Sequence, residues 1–245
     1  MLVRRLVSTG LVLALCIAAP LGAQDPKDNP AAKSLNRDIP RHKQFLEKTK
    51  SGEGDVIFLG DSITQGWEGK GKKAWDDTFA TFKPVNLGIS GDQTGHVIWR
   101  ITEGKEIDPL KPKLAVIMIG TNNMGGKDKG TGKDVYTAEN IAGGVKAIVA
   151  ELQKQKPEMK ILLLAIFPRS AKTGDSIRVK VNETNKLLAK LGDDKKVFYK
   201  DIGEKFLDKD GTLDKKIMPD LLHLSEEGYK IWADAIKEDI AKLVK

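Results

Sequence analysis

The chain carries a nucleophile, a base and an acid at separate places, and the chemistry they could do together is acyl transfer. The tetrapeptide GDSI occurs twice, at 60–63 and at 174–177. A serine attacks a carbonyl only with a base to take its proton and donors for the developing oxyanion. Histidine is the side chain suited to that base, and the chain has three: His42, His96 and His223. His42 lies in "RHKQFLEK" and reads as a surface or packing residue, while His96, after "GDQTG", reads as structural. His223 stands in "IMPDLLHLSEEGY", an irregular stretch with Asp220 shortly before it. In a loop, that spacing lets a carboxylate reach Nδ1 and leaves Nε2 to face a serine.

What precedes each serine separates the two copies. Ser62 follows "DVIFL", a buried strand, so it lands in the crevice beyond a strand's carboxyl end, where open α/β sheets bind ligands. Gly60 allows a tight exit, and Ser62 opens a helical turn near free N–H groups. Ser176 follows the polar "RSAKT" and leads into an amphipathic helix. There Asp175 or Ser176 is expected to be an N-cap, its oxygen satisfying the first turn. Oxyanion donors should come from neighbouring strand ends. One such end reads "NLGISGDQT", where Gly88 and Gly91 both permit close backbone approach and the choice between them stays open. Another reads "IGTNNM" and presents Asn122, whose amide can donate; a purely structural turn would not need two adjacent asparagines.

The elements that must position these groups follow from hydrophobic pattern. Apolar runs at 55–60, 84–89, 113–121, 160–168 and 196–203 read as strands, several of them covered on both faces. Helical spacing marks 34–50, 134–155, the stretch after the second GDSI, and 225–244. Strand–helix alternation of this kind predicts one doubly wound α/β sheet in a single domain over 51–245. At 40% apolar and 31% charged, the composition is that of a globular domain. Residues 24–33 read as a linker, with a helix completing an N-terminal unit to residue 50. Arg4 and Arg5 before "LVLALCIAAPL", with a small-residue exit, predict a signal peptide over 1–23 and an exported, periplasmic or extracellular protein. The lone cysteine, Cys16, lies in that segment, and "LALC" has a bulky Leu15 where a lipoprotein box wants a small residue. The apolar run is too short to span a bilayer, so stable membrane insertion is not expected. The net charge is +7, but the lysines are scattered among acids, which argues against nucleic-acid binding. "GGKDKGTGKD" (125–134) fails phosphate-loop spacing and reads as a mobile loop at the pocket rim. "DKDGTLD" (208–214) lacks a third acidic position for calcium and reads as a turn.

Four blocks in order, "GDSIT" (60–64), "NLGISGD" (86–92), "GTNN" (120–123) and "DLLH" (220–223), resemble the GDSL/SGNH hydrolases. Longer strings such as "GDQTGHVIWRI" and "LHLSEEGY" are most like the branch containing the catalytic subunits of type IB platelet-activating factor acetylhydrolase. The resemblance implies a flavodoxin-like three-layer α/β/α sandwich with a five-stranded parallel sheet. It implies Ser62 as nucleophile, His223 as base and Asp220 as its orienting acid. The oxyanion donors would be the Ser62 and Gly91 N–H groups and the Asn122 amide; no metal or organic cofactor is implied. Many relatives have glycine after the acid, where this chain has Leu221 and Leu222. The expected reaction is hydrolysis of a short-chain, chiefly acetyl, ester on a small molecule or a glycan. A lysophospholipase or thioesterase on the same triad and a non-catalytic carbohydrate-binding module are the alternatives. A homodimer is left open.

Overall fold

The computed structural model describes residues 28–127 and 129–245. The expected signal peptide, Cys16 and the start of the linker lie outside them. Five parallel strands, β1 (Val56–Gly60), β2 (Pro84–Gly88), β3 (Leu114–Met118), β4 (Lys160–Leu164) and β5 (Val197–Lys200), form one sheet in the order β2-β1-β3-β4-β5. This is the flavodoxin-like order, with the crossover from β2 to β3 passing β1. Among the described residues, seven α-helices complete the fold: α1 (Pro40–Thr49), α2 (Ser62–Gln65), α3 (Lys72–Phe79), α4 (Thr94–Ile101), α5 (Ala138–Gln155), α6 (Ser176–Leu188) and α7 (Glu226–Leu243).

Because side chains alternate along a strand, each strand feeds two cores. Ile57 and Leu59 of β1 join Val97, Ile141, Ile148 and Val181 in a core shared with α1, α4, α5 and α6. Val56 and Phe58 join Ile63, Trp67, Phe79, Trp232 and Ile236 on the other face, with α2, α3 and α7. The result is the three-layer α/β/α sandwich. Both β1 and β3 are buried along their whole length, which explains their unbroken apolar runs.

Two expectations about the N-terminal region are corrected. The helix begins at Pro40, not at 34: Ile39, before the proline, is extended at φ −120°, ψ 163°. Residues 29–33, expected to be linker, are docked. Asn29 Nδ2 donates to the Asn140 carbonyl (2.9 Å) and Thr94 Oγ1 donates to the Ala31 carbonyl (2.6 Å). The chain continues as a strap over α4, with Leu35 N–H donating to the Gly95 carbonyl at 3.0 Å. A Cβ on Gly95 would stand 2.4 Å from the Lys33 carbonyl oxygen, so glycine makes room for the strap.

Phe58 is enclosed by the rings of Trp75 (centroids 4.7 Å apart), Phe79 (5.3 Å) and Trp67 (6.5 Å). Phe58→Ala should lower stability by about 3–5 kcal/mol. The check is a reduced urea midpoint with the slope of the transition unchanged.

Candidate active site

Three strand ends and one loop build the site. β1 stops at Gly60, where a Cβ would stand 2.0 Å from Thr64 Oγ1 and 2.5 Å from the Met118 carbonyl oxygen. No larger residue fits that exit. Asp61 caps α2, its Oδ1 accepting from Ile63 N–H at 3.0 Å. Ser62 is then the first residue of the helix, and its N–H has no intrahelical partner by position. Its Oγ lies 2.9 Å from His223 Nε2. His223 Nδ1 lies 2.7 Å from Asp220 Oδ2. An Nδ1–H donated to that carboxylate leaves Nε2 free to take the Ser62 proton.

The histidine loop is itself organised by Asp220. Its Oδ1 accepts from the backbone N–H groups of His223 (2.7 Å) and Leu222 (3.1 Å). Partial burial pushes the Asp220 carboxyl up, but the His223 ring and these N–H groups outweigh it and hold the group below the usual carboxylate range. Leu221 occupies the left-handed region at φ 61°. That is the conformation glycine adopts without strain, the residue that the resemblance implies at this place. The Leu221 backbone is held on both sides, its N–H donating to Met218 O (2.8 Å) and its carbonyl accepting from Ser170 N–H (3.1 Å). Downstream on α7, the Tyr229 hydroxyl donates to the Ile63 carbonyl at 2.6 Å, tying the segment that follows His223 to the helix that Ser62 opens.

The structure also separates the two candidate glycines. Gly88 N–H donates to Asn86 Oδ1 at 2.9 Å, and a Cβ there would stand 2.2 Å from Gln65 N. Gly88 is a packing glycine under α2, and its donor is already used. Gly91 takes φ 80°, and among the described residues its N–H meets no acceptor. Asn122, in the 3-10 turn Thr121–Asn123, donates Nδ2 to the Asp92 carbonyl at 2.9 Å, which brings it beside Gly91. Asn123, by contrast, is structural: its Oδ1 accepts from Thr94 N–H (3.0 Å) at the start of α4. The pair of asparagines thus divides between site and scaffold, which corrects the expectation that a structural turn has no use for the second.

The remaining sequence candidates are placed elsewhere. Ser176 opens α6 with Asp175 in the cap position. The Asp175 carboxylate reaches back to Lys172 N–H (2.9 Å) and makes no cap bond to the helix, contrary to expectation. His96 Nδ1 accepts from Gln93 N–H (3.0 Å) at the start of α4, and burial holds its pKa below the usual range. His42 is buried, not a surface residue, with Nδ1 2.9 Å from Glu106 Oε2. The loop at 125–134 is tethered by the bridge between Lys127 and Asp134 and by Lys180, which pairs with the same carboxylate. The 208–214 stretch is a turn, with Gly211 N–H donating to Asp208 O (2.9 Å) and Asp208 N–H to Thr212 O (2.9 Å). Among the described residues, no group of three or more His, Cys, Asp or Glu side chains is placed to hold a metal ion, and no helix is long and apolar enough to cross a membrane.

Sequence reasoning missed the charges beneath the site. Arg100, with no exposed surface, donates Nη1 to Asp92 Oδ2 (2.5 Å) and Nη2 to Glu106 Oε1 (2.5 Å). It also reaches the Leu87 carbonyl. Burial pushes the Glu106 carboxyl up, but Arg100 and His42 outweigh it and hold it low. An arginine inside the apolar stripe of "VIWRI" was the available signal. Arg169 donates Nη1 to the Thr121 carbonyl (2.9 Å), next to Asn122, and burial holds its pKa below the usual range against the pull of Asp61 and Asp220.

The model of the GDSL-like lipase/acylhydrolase family matches residues 58–231. The human platelet-activating factor acetylhydrolase IB subunit alpha1 is 32% identical over 212 residues, covering 83% of this chain and 86% of its own. A putative acylhydrolase from Bacteroides fragilis superposes with a TM-score of 0.66 at 21% identity, over 86% of this chain and 100% of that one. An acetylxylan esterase from Geobacillus stearothermophilus gives 0.61 at 20% identity, over 78% and 96%.

The carboxyl beside Ser62 is fully buried. Burial lifts the Asp61 carboxyl from its ordinary 3.8 to about 7, with Asp92 adding to the rise and the Ile63 N–H and Arg169 opposing it. The unfolded chain loses this proton near 3.8 and the folded protein keeps it to about 7, so stability should fall as pH rises through that window. Asp61→Asn should flatten the decline. Above pH 7 it should exceed the parent by a few kcal/mol, at about 1.4 kcal/mol per pKa unit; urea unfolding across the pH series reads it.

Proposed function

Since the chain belongs to the GDSL-like lipase/acylhydrolase family and is a carboxylic ester hydrolase, we propose that it is an exported serine esterase that removes short acyl groups, acetyl above all, including O-acetyl groups on carbohydrates. One observation carries the mechanism: the Ser62 hydroxyl, the His223 imidazole and the Asp220 carboxylate form an unbroken chain at 2.9 and 2.7 Å.

In this reading Ser62 Oγ attacks the ester carbonyl carbon while His223 Nε2 takes its proton. Asp220, held ionised, stabilises the imidazolium. The carbonyl oxygen becomes an oxyanion and rests on the N–H groups of Ser62 and Gly91 and the second hydrogen of the Asn122 amide. Collapse of the tetrahedral adduct breaks the bond to the leaving alkoxide, which takes the proton from Nε2 and departs as the alcohol. Water then attacks the acyl-enzyme with His223 as base, releasing the acid and restoring Ser62.

Two relatives support the acetyl preference, one named as an acetylhydrolase and the other as an acetylxylan esterase. The first also favours a second reading, a lipid-like ester at the same triad. The complete triad argues against the non-catalytic carbohydrate-binding module. Export is supported by the basic start, the apolar run and the small-residue exit of residues 1–23.

Ser62→Ala should reduce release of p-nitrophenol from p-nitrophenyl acetate by about 10⁴- to 10⁶-fold. Retention of most activity would end the reading. On a series of p-nitrophenyl esters, kcat/KM should peak at acetate; a peak at octanoate would favour the lipid-like ester, and acetylated xylan against a lysophospholipid would test the acceptor.

A further inference from the structure

The segment that precedes the family match brings Arg37, from the strap, to the loop carrying Gly91 and Arg41, from α1, to the end of β2. Arg37 donates Nε to Asp92 Oδ1 (2.7 Å) and Nη2 to the Ser90 carbonyl (2.7 Å). Arg41 donates Nε to the Gly88 carbonyl (2.8 Å) and Nη2 to Glu68 Oε2 (2.9 Å). We propose that Arg37 is a positioning residue for the oxyanion donor Gly91, holding its N–H in direction from behind; this rests on the esterase reading.

The physical reason lies in one peptide plane. The Ser90 carbonyl and the Gly91 N–H belong to the same planar trans unit and point in opposite directions. A guanidinium that fixes the carbonyl therefore aims the N–H away from itself. The second branch of the same fork holds Asp92, the other neighbour of Gly91, so both flanks of the glycine are clamped by one rigid group. A Cβ on Gly91 would lie 3.6 Å from Arg37 Nη2, which places the guanidinium directly against the residue it orients. A charged donor on the carbonyl also polarises the peptide and strengthens its N–H as a donor.

Gly91 needs such a clamp. At φ 80° it is free to leave that conformation, because glycine alone finds the alternatives equally open. Gln65 Oε1 accepts from Ser90 N–H (2.8 Å), and Asn122 holds the Asp92 carbonyl, so backbone groups on either side are fixed as well. Among the described residues, only Arg37 holds the carbonyl within the Gly91 peptide unit itself. The strap places it: Leu35 is bonded to Gly95, and Ser34 Oγ donates to Glu103 at 2.9 Å. A purely structural alternative is that Arg37 serves only to neutralise Asp92, which Arg100 already pairs.

Full-length Arg37→Ala, Arg37→Lys and the parent are compared on p-nitrophenyl acetate, well below their melting temperatures. Arg37→Ala should lose about 10- to 100-fold in kcat with KM changed by less than about 3-fold. Millimolar methylguanidinium should restore part of the Arg37→Ala rate and leave Ser62→Ala unchanged. Arg37→Lys keeps the charge but not the fork, so it should also lose kcat; parental kcat in Arg37→Lys would reduce Arg37 to charge neutralisation and overturn the proposal. If Arg37→Ala does not fold, the lysine variant decides alone. The amide ¹H–¹⁵N resonance of Gly91 supplies a readout that needs no turnover. It should shift and broaden in the folded variants, and an unchanged resonance overturns the proposal. A parent inert toward esters, with the resonance still displaced by the substitution, would instead sink the esterase reading alone.

Discussion

A guanidinium with no exposed surface holds the loop on which the site's geometry depends. Arg100 divides its fork between Asp92 and Glu106 and gives its remaining edge to the Leu87 carbonyl. Taking charges of this kind out of water is offset only when pairing is complete. Here it is, because His42 closes on Glu106 and Arg37 on Asp92. Removing Arg100 strips both buried carboxylates of the cation they share, a loss of about 3–5 kcal/mol in comparable cases. The stretch from Leu87 to Asp92 is therefore re-aimed only by breaking that network. A soft, glycine-containing turn becomes a stiff one through charges lying beneath it.

The other half of the site depends on apolar packing. His223 lies outside regular structure, yet α7 shortly after it is seated against Trp67 and Phe167 through Trp232. The Tyr229 hydroxyl then crosses from α7 to the Ile63 carbonyl. Gly66 and Gly71 allow this approach, since a Cβ on either would stand within 3 Å of the Tyr229 ring or hydroxyl. His223 and Ser62 are consequently registered through one aromatic side chain, even though Asp220 and His223 sit in a partly exposed loop.

Much of this was legible before any coordinates. The strand starts at 56, 84, 114, 160 and 197 lie within a residue of the apolar runs, because buried parallel strands leave an unbroken apolar signature. The first run ends with β1 at Gly60, but the other four run past their strands, two of them for definite reasons. β4 stops at Leu164 although the apolar run continues, because Ile166 gives its N–H and carbonyl to the Asn185 side chain and not to a neighbouring strand. β3 stops at Met118, before the backbone reverses at Gly120 with φ 122°. Gly88 and Gly91 could not be told apart by letter, since one is needed for a close approach and the other for its φ. The docking of 29–33 was hidden because its partners, Asn140 and Thr94, lie more than sixty residues along the chain. Arg37 was hidden for the same reason: its partners lie more than fifty residues away.

Register sets Gly60 opposite Gly88 on one side and Met118 on the other. Adjacent strands keep a separation of about 4.8 Å, dictated by peptide hydrogen bonding and not by side-chain identity. Segments leaving those three neighbouring ends bear Ser62, Gly91 and Asn122. An aperture framed in this way inherits its gauge from the pleated backbone. Side chains and loops shape the cleft around it, while the bore between Ser62, Gly91 and Asn122 is set by the spacing of three strands.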